Sequence, residues 1–304
     1  MDLTRDETRE VPAAPAAPAN PPATQLPYAV ATWLQRKRGV PVSPWWPTAT
    51  FVWVCLQGAF GALTVTMKLF PAIVTLHLLG GLVLLALLAR QAVGYRQAQR
   101  GTGPLAIAPT ARGWLLAAAA LVWLQVALGG WVSTNYAVLA CSDFPQCQGS
   151  WWPAMDFRQG FELWRHLGLT AGGEHITFAA LTAIHYVHRL SAFVVFAALG
   201  GLAWQLRGGA LRPHARWVVA LAAWQFVSGL TNVVLDWPIV AAVAHTGGAA
   251  ALVAHPRPTT VYLAGDSSMH LRSVLKDTAV FAALERLVER STAISVSGCD
   301  RSLA

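Results

Sequence analysis

The chain has 304 residues, of which 55% are hydrophobic and only 12% are charged. Soluble globular proteins contain roughly 25% charged residues, so this composition excludes an ordinary soluble domain and predicts a membrane protein. The formal net charge is +8, but the lysines and arginines lie in short stretches between apolar runs. That distribution is typical of membrane topology signals and argues against nucleic-acid binding.

In chain order, residues 1–26 are charged and proline-rich. They lack the apolar core of a signal peptide, so we predict a disordered tail. A helix needs roughly 20 apolar residues to cross the hydrocarbon core of a bilayer. Six apolar runs of about this length follow the tail, at residues 48–66, 70–89, 113–133, 178–204, 216–235 and 238–254. The sequence therefore predicts an all-α, polytopic bundle of about six transmembrane helices.

Residues 255–304 differ in character from the apolar runs and are predicted to be a tail unrelated to the bundle. This tail contains a Gly-Asp-Ser sequence ending at Ser267. Such a sequence is similar to the opening block of SGNH-type hydrolases. Such enzymes need an Asp and a His farther along the chain, and the sequence ends at Ala304, so we interpret the match as a nonfunctional fragment or a chance match.

Arginines mark alternate loops between the apolar runs. They include Arg36, Arg38, Arg90, Arg96, Arg100, Arg112, Arg207, Arg212 and Arg216. The positive-inside rule makes these loops cytoplasmic, including a linker at residues 90–112. We therefore predict a multi-pass protein of the cell inner membrane whose long loop with Cys141 and Cys147 lies outside the cytoplasm. In that oxidising compartment the two cysteines are expected to form a disulfide rather than remain free thiols.

A polar pattern repeats within the apolar runs. Its copies are Gln57, Gly61 and His77, then Gln225, Gly229 and His245, and a third opening at Gln125 and Gly129. Because apolar periodicity alone would not place Gln, Gly and His at matching spacings, the pattern indicates duplication. We predict that residues 113–254 form one complete four-helix unit and that residues 27–89 form half of a preceding unit.

His188 and His245 are predicted to lie at the same depth on two helices of the complete unit. Imidazoles that face each other across a bundle bind haem iron from both sides, so both are candidate haem and iron ligands. Arg189 is a candidate partner for a haem propionate. His77 corresponds to His245 in the repeat and is either a ligand or a hydrogen-bonding residue. Hydrogen bonding between helices is the alternative for all of these histidines and is favoured for His185.

A zinc site is disfavoured, because the apolar helices offer no carboxylate or thiolate near the histidines. A helical scaffold or transporter-like bundle without a cofactor is a further alternative. An intramembrane polar pathway would favour this alternative, but the spans contain few polar residues besides the histidines and the repeated glutamines.

Five stretches carry a family resemblance: Leu128–Tyr136, Ala140–Gly149, Ile184–Arg189, Val243–Gly248 and Gln57–Gly81. Together they resemble the haem A synthase family of bacterial membranes. The resemblance implies eight helices in two pseudo-symmetric halves and oxidation of a methyl group of haem o, by successive hydroxylation, to the formyl group of haem A. It also implies that haem b binds between His188 and His245, and that His77 contacts the substrate haem.

The family's first helix, its first outer loop with a cysteine pair and the catalytic glutamate, and its second helix with a His-Arg motif have no counterpart here. The N-terminal half is therefore expected to be truncated, and the catalytic residues are unassigned. We expect a haem A synthase-like oxidoreductase that contains haem b, with a catalytically dead, truncated haem b-binding protein as the alternative. The expected partners are haem o, haem A and the lipid bilayer, together with a second copy of the chain or haem o synthase.

Overall fold

The computed structural model describes Trp33, residues 45–100 and residues 107–254; the predicted tails at residues 1–26 and 255–304 lie outside the described residues. The helices are α1 (Trp45–Thr66), α2 (Pro71–Arg100), α3 (Pro109–Thr134), α4 (Phe157–Gly160), α5 (Phe178–Gln205), α6 (Arg212–Val234) and α7 (Ile239–Ala254). Within these ranges, five helical segments are long and apolar enough to span a membrane, and α7 is a shorter apolar helix. The prediction of an all-α, polytopic bundle is confirmed.

Local chemistry explains where several helices begin. Proline lies in the first turn of α3 and of α6, where its missing N–H costs no helical hydrogen bond. Thr177 precedes α5 and accepts a hydrogen bond from the N–H of Ala180. Asp156 caps the short helix α4 in the same way, by accepting from the N–H of Gln159.

Helix α2 is longer than the sequence predicted, since it continues to Arg100 through the first part of the expected linker. Contacts with α1 stabilise this polar extension. Gln91 is buried and donates to the hydroxyl of Thr50, and the guanidinium of Arg90 lies 4.8 Å from the ring centre of Trp46. Hydropathy marks where a helix leaves the hydrocarbon core, but it does not mark where the helix itself ends.

Small residues make the bundle tight. Helix α3 packs closely against α5, α6 packs against α7, and α2 joins the bundle by packing against α3 and α7. The buried core contains Ala111, Ala118, Ala198, Ala203 and Ala215. In lipid, burial of apolar surface does not drive helices together, so close approach at small residues supplies the packing energy. Helix α1 packs chiefly against α2 and lies outside this core.

Candidate functional site

Helices α3, α5, α6 and α7 surround a largely apolar cavity, to which α2 adds Leu78 and Leu82. His188 of α5 and His245 of α7 both line this cavity. Its walls also include Val126, Phe193, Val195, Phe196, Phe226 and Leu230. The structure therefore brings together the two histidines that the sequence predicted as partners. His77 does not line this cavity.

Each of these histidines is held by a glutamine on the preceding long helix of its hairpin. The Nε2 atoms of Gln57 and Gln125 donate to the backbone carbonyls of His77 (2.9 Å) and His188 (3.0 Å). With its amide oriented to satisfy both partners, Gln225 donates to the carbonyl of His245 at 2.9 Å and accepts from the N–H of Ala249 at 3.0 Å. We call this contact between the glutamine amide and the histidine backbone the glutamine clasp.

A glycine four residues after each glutamine lies against the histidine ring. A Cβ atom added to Gly129 would lie 3.0 Å from Cε1 of His188, and one added to Gly229 would lie 3.1 Å from Cε1 of His245. The corresponding distance from Gly61 to Cε1 of His77 is 3.2 Å. A Cβ atom at these positions would therefore require the imidazole to shift by a few tenths of an ångström, and a larger side chain would require more. The repeat inferred from sequence is thus also repeated in the structure: in each copy a glutamine binds the backbone of the histidine, and a glycine lies beside the histidine ring.

The three histidines differ in what their Nδ1 atoms contact. Nδ1 of His245 lies 3.0 Å from the hydroxyl of Ser228, and Nδ1 of His188 lies 3.0 Å from Nε2 of Gln125. Among the described residues, Nδ1 of His77 is buried with no hydrogen-bond partner. Histidine ligands of metals almost always donate their second ring N–H to an acceptor. His245 has such an acceptor in the Ser228 hydroxyl, His188 has an amide nitrogen at this position, and His77 has no partner there among the described residues.

These features fit a flat prosthetic group with two axial imidazoles. Both rings border one apolar cavity, both are fixed by clasp and glycine, and both have a polar partner at Nδ1, which for His245 is a hydroxyl that leaves Nε2 for a ligand. Within residues 45–100 and 107–254 no group of three or more His, Cys, Asp or Glu side chains gathers. A metal ion here would therefore need further ligands from a macrocycle, as haem iron has.

The structure gives Arg189 a role that sequence reasoning missed. Its guanidinium donates to the backbone carbonyls of Cys141 (2.5 Å), Asp143 (2.7 Å) and Gln146 (3.1 Å) in the outer loop. Its Nε also donates to Nε2 of His185 at 3.3 Å. Most of its five N–H groups are thus occupied within the protein. Contact with a haem propionate stays a prediction, and these hydrogen bonds make Arg189 the anchor of the loop.

The anchored loop forms one end of the cavity. A disulfide joins Cys141 and Cys147, whose Cα atoms are 4.8 Å apart, as predicted. Between them, Phe144 lines the cavity and packs edge-on against Phe226, with ring centres 6.5 Å apart. Arg189 directly follows His188, so the residue that anchors the loop and one candidate ligand are neighbours on α5.

Asp143 stabilises the same loop through its carboxylate. Its Oδ1 and Oδ2 accept from the backbone N–H groups of Gln148 (2.7 Å) and Gly149 (2.8 Å). The Gly149 bond does most to lower the pKa of Asp143 below its usual 3.8; partial burial opposes this, and the Gln148 bond and the charge of Arg189 lower it further. The loop is thus stabilised by the ionised form of this side chain.

We expect Asp143→Asn to lower the thermal midpoint of the detergent-solubilised chain near neutral pH. A carboxyl whose pKa is lower in the folded state stabilises that state above pH 3.8, and this contribution disappears as the pH falls through the folded-state pKa. The difference between wild type and variant should therefore shrink on acidification. Glu174→Gln, an exposed change in the same loop, is the matched control. A difference that does not depend on pH would contradict the prediction.

Comparison with known proteins places this geometry in a family. The family model described as cytochrome oxidase assembly protein (COX15-CtaA) matches residues 24–255, which include α1 to α7. The chain belongs to this family. The match covers both halves of the repeat and the histidines His77, His188 and His245.

Curated relatives of this family member share the name heme A synthase. The protein of Shewanella oneidensis is 34% identical over 216 residues, which are 66% of this chain and 61% of the relative. The protein of Allorhizobium ampelinum is 32% identical over 160 residues, covering 49% of this chain and 41% of the relative. That of Methylobacterium radiotolerans is 29% identical over 200 residues, covering 62% and 51%. The chain thus spans about two fifths to three fifths of the length of these relatives.

Several residues of the family member's site were missed or misread from sequence. Gly248 lies three residues after His245, and its Cβ position lies 2.5 Å from Cδ1 of Trp224, so it makes room for α6 and not for a ligand. Gly247 has nothing within 4 Å of its Cβ position. The glycines beside the rings, Gly129 and Gly229, were noted only as markers of the repeat. Ser228 gave no sequence signal, because its role depends on which way α6 faces.

Proposed function

We propose that this chain is a haem A synthase-like oxidoreductase that converts haem o to haem A by methyl hydroxylation and binds haem b between His188 and His245. The observation that carries the proposal is that both imidazoles line one apolar cavity, each fixed by a glutamine clasp and a glycine. The names of the curated relatives support the choice of substrate and product.

In this proposal the chain supplies ligands, orientation and exclusion of water. Haem b, when bound, provides one-electron transfer to the oxidation of the substrate. His188 and His245 supply the two Nε2 lone pairs, and the clasps prevent α5 and α7 from rotating or sliding at the ligand positions. The apolar walls and the Phe144 side chain keep water from the cavity, which tunes the potential of a bound redox centre.

Residues 113–254 are proposed as the haem-binding half and residues 27–89 as a partial N-terminal half. His77 is the proposed contact to the substrate haem, supported by its clasp from Gln57 and by Gly61 beside its ring. The arginine-rich ends of α2, α5 and α6 support an inner-membrane orientation with the disulfide loop outside the cytoplasm.

A non-catalytic, truncated haem b-binding protein is the second candidate. It is favoured by the α1–α2 hairpin, which presents one histidine, and by the lack of a partner for Nδ1 of His77 among the described residues. The two candidates share the haem b site and differ only in whether haem A is formed.

The deciding experiment expresses the full chain in a bacterial host that makes haem o. A dithionite-reduced minus oxidised spectrum of the purified protein should show low-spin haem b, and extracted membrane haems should contain haem A. Haem b without haem A would support the second candidate. A folded helical protein with neither haem would overturn both.

A further inference from the structure

Ser228 makes a contact that decides the chemistry of one candidate ligand. The side chain is 6% exposed and lies on α6, directly before Gly229. Its hydroxyl donates to the backbone carbonyl of Trp224 at 2.7 Å, within the same helix. The same oxygen lies 3.0 Å from Nδ1 of His245 on α7.

A serine hydroxyl has one hydrogen and two lone pairs. Since the hydrogen points to the Trp224 carbonyl, the oxygen can only accept from His245, and Nδ1 of that ring must carry the proton. In a neutral imidazole the proton on Nδ1 leaves the lone pair on Nε2, which is the atom that binds iron. We infer that Ser228 is a positioning residue that holds His245 in the Nδ1–H tautomer and so prepares its Nε2 for haem iron. This inference rests on the proposed haem b site.

The partner of His188 is set differently. Nε2 of Gln125 donates to the backbone carbonyl of His188, and Oε1 of Gln125 accepts from the hydroxyl of Ser191. The amide is thereby oriented with its NH2 group toward Nδ1 of His188, 3.0 Å away. A donor at that position favours the opposite tautomer, with the proton on Nε2. The amide must therefore turn before His188 can bind iron through Nε2, whereas His245 is already prepared.

Loss of the Ser228 hydroxyl should change the midpoint potential of the bound haem iron without removing either histidine ligand. An acceptor on Nδ1–H makes the imidazole a stronger donor, which favours ferric over ferrous haem. We expect Ser228→Ala to retain low-spin haem b but to lose affinity for ferric relative to ferrous haem about tenfold. For a one-electron couple this ratio corresponds to an upward shift of about 59 mV in midpoint potential.

Two further variants make the measurement specific. Ser228→Thr keeps the hydroxyl and should restore the wild-type potential and ferric electron paramagnetic resonance g-values. Thr231→Ala removes the neighbouring hydroxyl of α6, which donates to the carbonyl of Val227 at 2.8 Å, and should change neither. An unchanged potential and g-values in Ser228→Ala would overturn the inference, as would an equal shift in Thr231→Ala.

A measurement on the wild type covers the case in which Ser228→Ala does not fold. The full chain, labelled with ¹⁵N-histidine and purified without haem, should give one imidazole signal that is lost in His245→Ala and shows a proton on Nδ1. A proton on Nε2 of that residue would overturn the inference. Absence of low-spin haem b from the wild-type protein would instead overturn the proposed function, while the nitrogen signals would still test the role of Ser228.

Discussion

His188→Ala and His245→Ala are each expected to abolish the low-spin haem b spectrum of the purified chain. Alanine provides no lone pair, so the iron of the proposed haem b would lose one of its two histidine ligands in either variant. The remaining histidine keeps its clasp and its glycine. Any haem that still binds is therefore expected to be weakly bound, five-coordinate and high-spin. Reduced minus oxidised spectra and the haem-to-protein ratio measure the loss.

Added imidazole provides a direct check on these variants. It should enter the space left by the deleted side chain and restore the low-spin spectrum, because the missing group is the ligand itself. His175→Ala, in the exposed outer loop, is the matched control and should keep the wild-type spectrum. A wild-type spectrum in His188→Ala or His245→Ala would exclude that histidine as a ligand.

The second large effect is expected from glycine substitutions beside the rings. The Cβ atom of a residue at position 129 would lie 3.0 Å from Cε1 of His188, and that of a residue at 229 would lie 3.1 Å from Cε1 of His245. Gly129→Val and Gly229→Val add two methyl groups to that Cβ atom and therefore crowd the ring further. Overpacking of this kind costs about 1–3 kcal/mol. If the displaced ring absorbs that cost, haem affinity falls roughly 5- to 150-fold.

Gly247→Val is the matched control for these variants. It introduces the same β-branched residue into the helix that carries His245, at a position with nothing within 4 Å of the added Cβ. Haem titration of the three variants should show weakened binding only for the substitutions at Gly129 and Gly229. Equal weakening in Gly247→Val would mean that helix propensity, and not the fit against the imidazole, is responsible.

Much of the fold was predictable because bilayer thickness fixes the length of a spanning helix. The six apolar runs match α1, α2, α3, α5, α6 and α7. The pairing of Cys141 with Cys147 was predictable because few residues separate them. The approach of His188 and His245 to one cavity was predictable because they were expected at the same depth on two helices of one four-helix unit.

Side-chain partners within the membrane were not predictable in the same way. Lipid and protein interior are both apolar, so hydropathy does not reveal which face of a spanning helix points inward. The contact of Ser228 with His245 depends on the orientation of α6, and the position of Phe144 in the cavity wall depends on the orientation of the outer loop. Arg189 was expected to contact a propionate because a charge next to a ligand suggests one; that contact stays a prediction, whereas the donation of its guanidinium to three loop carbonyls was not foreseen.

The glutamine clasp also limits which insertions and deletions the chain can accept. Gln57 and His77 are 20 positions apart, and a short turn joins their helices. Adding or removing one residue in the turn at 67–70 would rotate the histidine by about 100° around its helix relative to the clasp. The same holds for the turn between Gln225 and His245. Gln125 and His188 are 63 positions apart, so the long outer loop between them can vary in length while the clasp keeps its register.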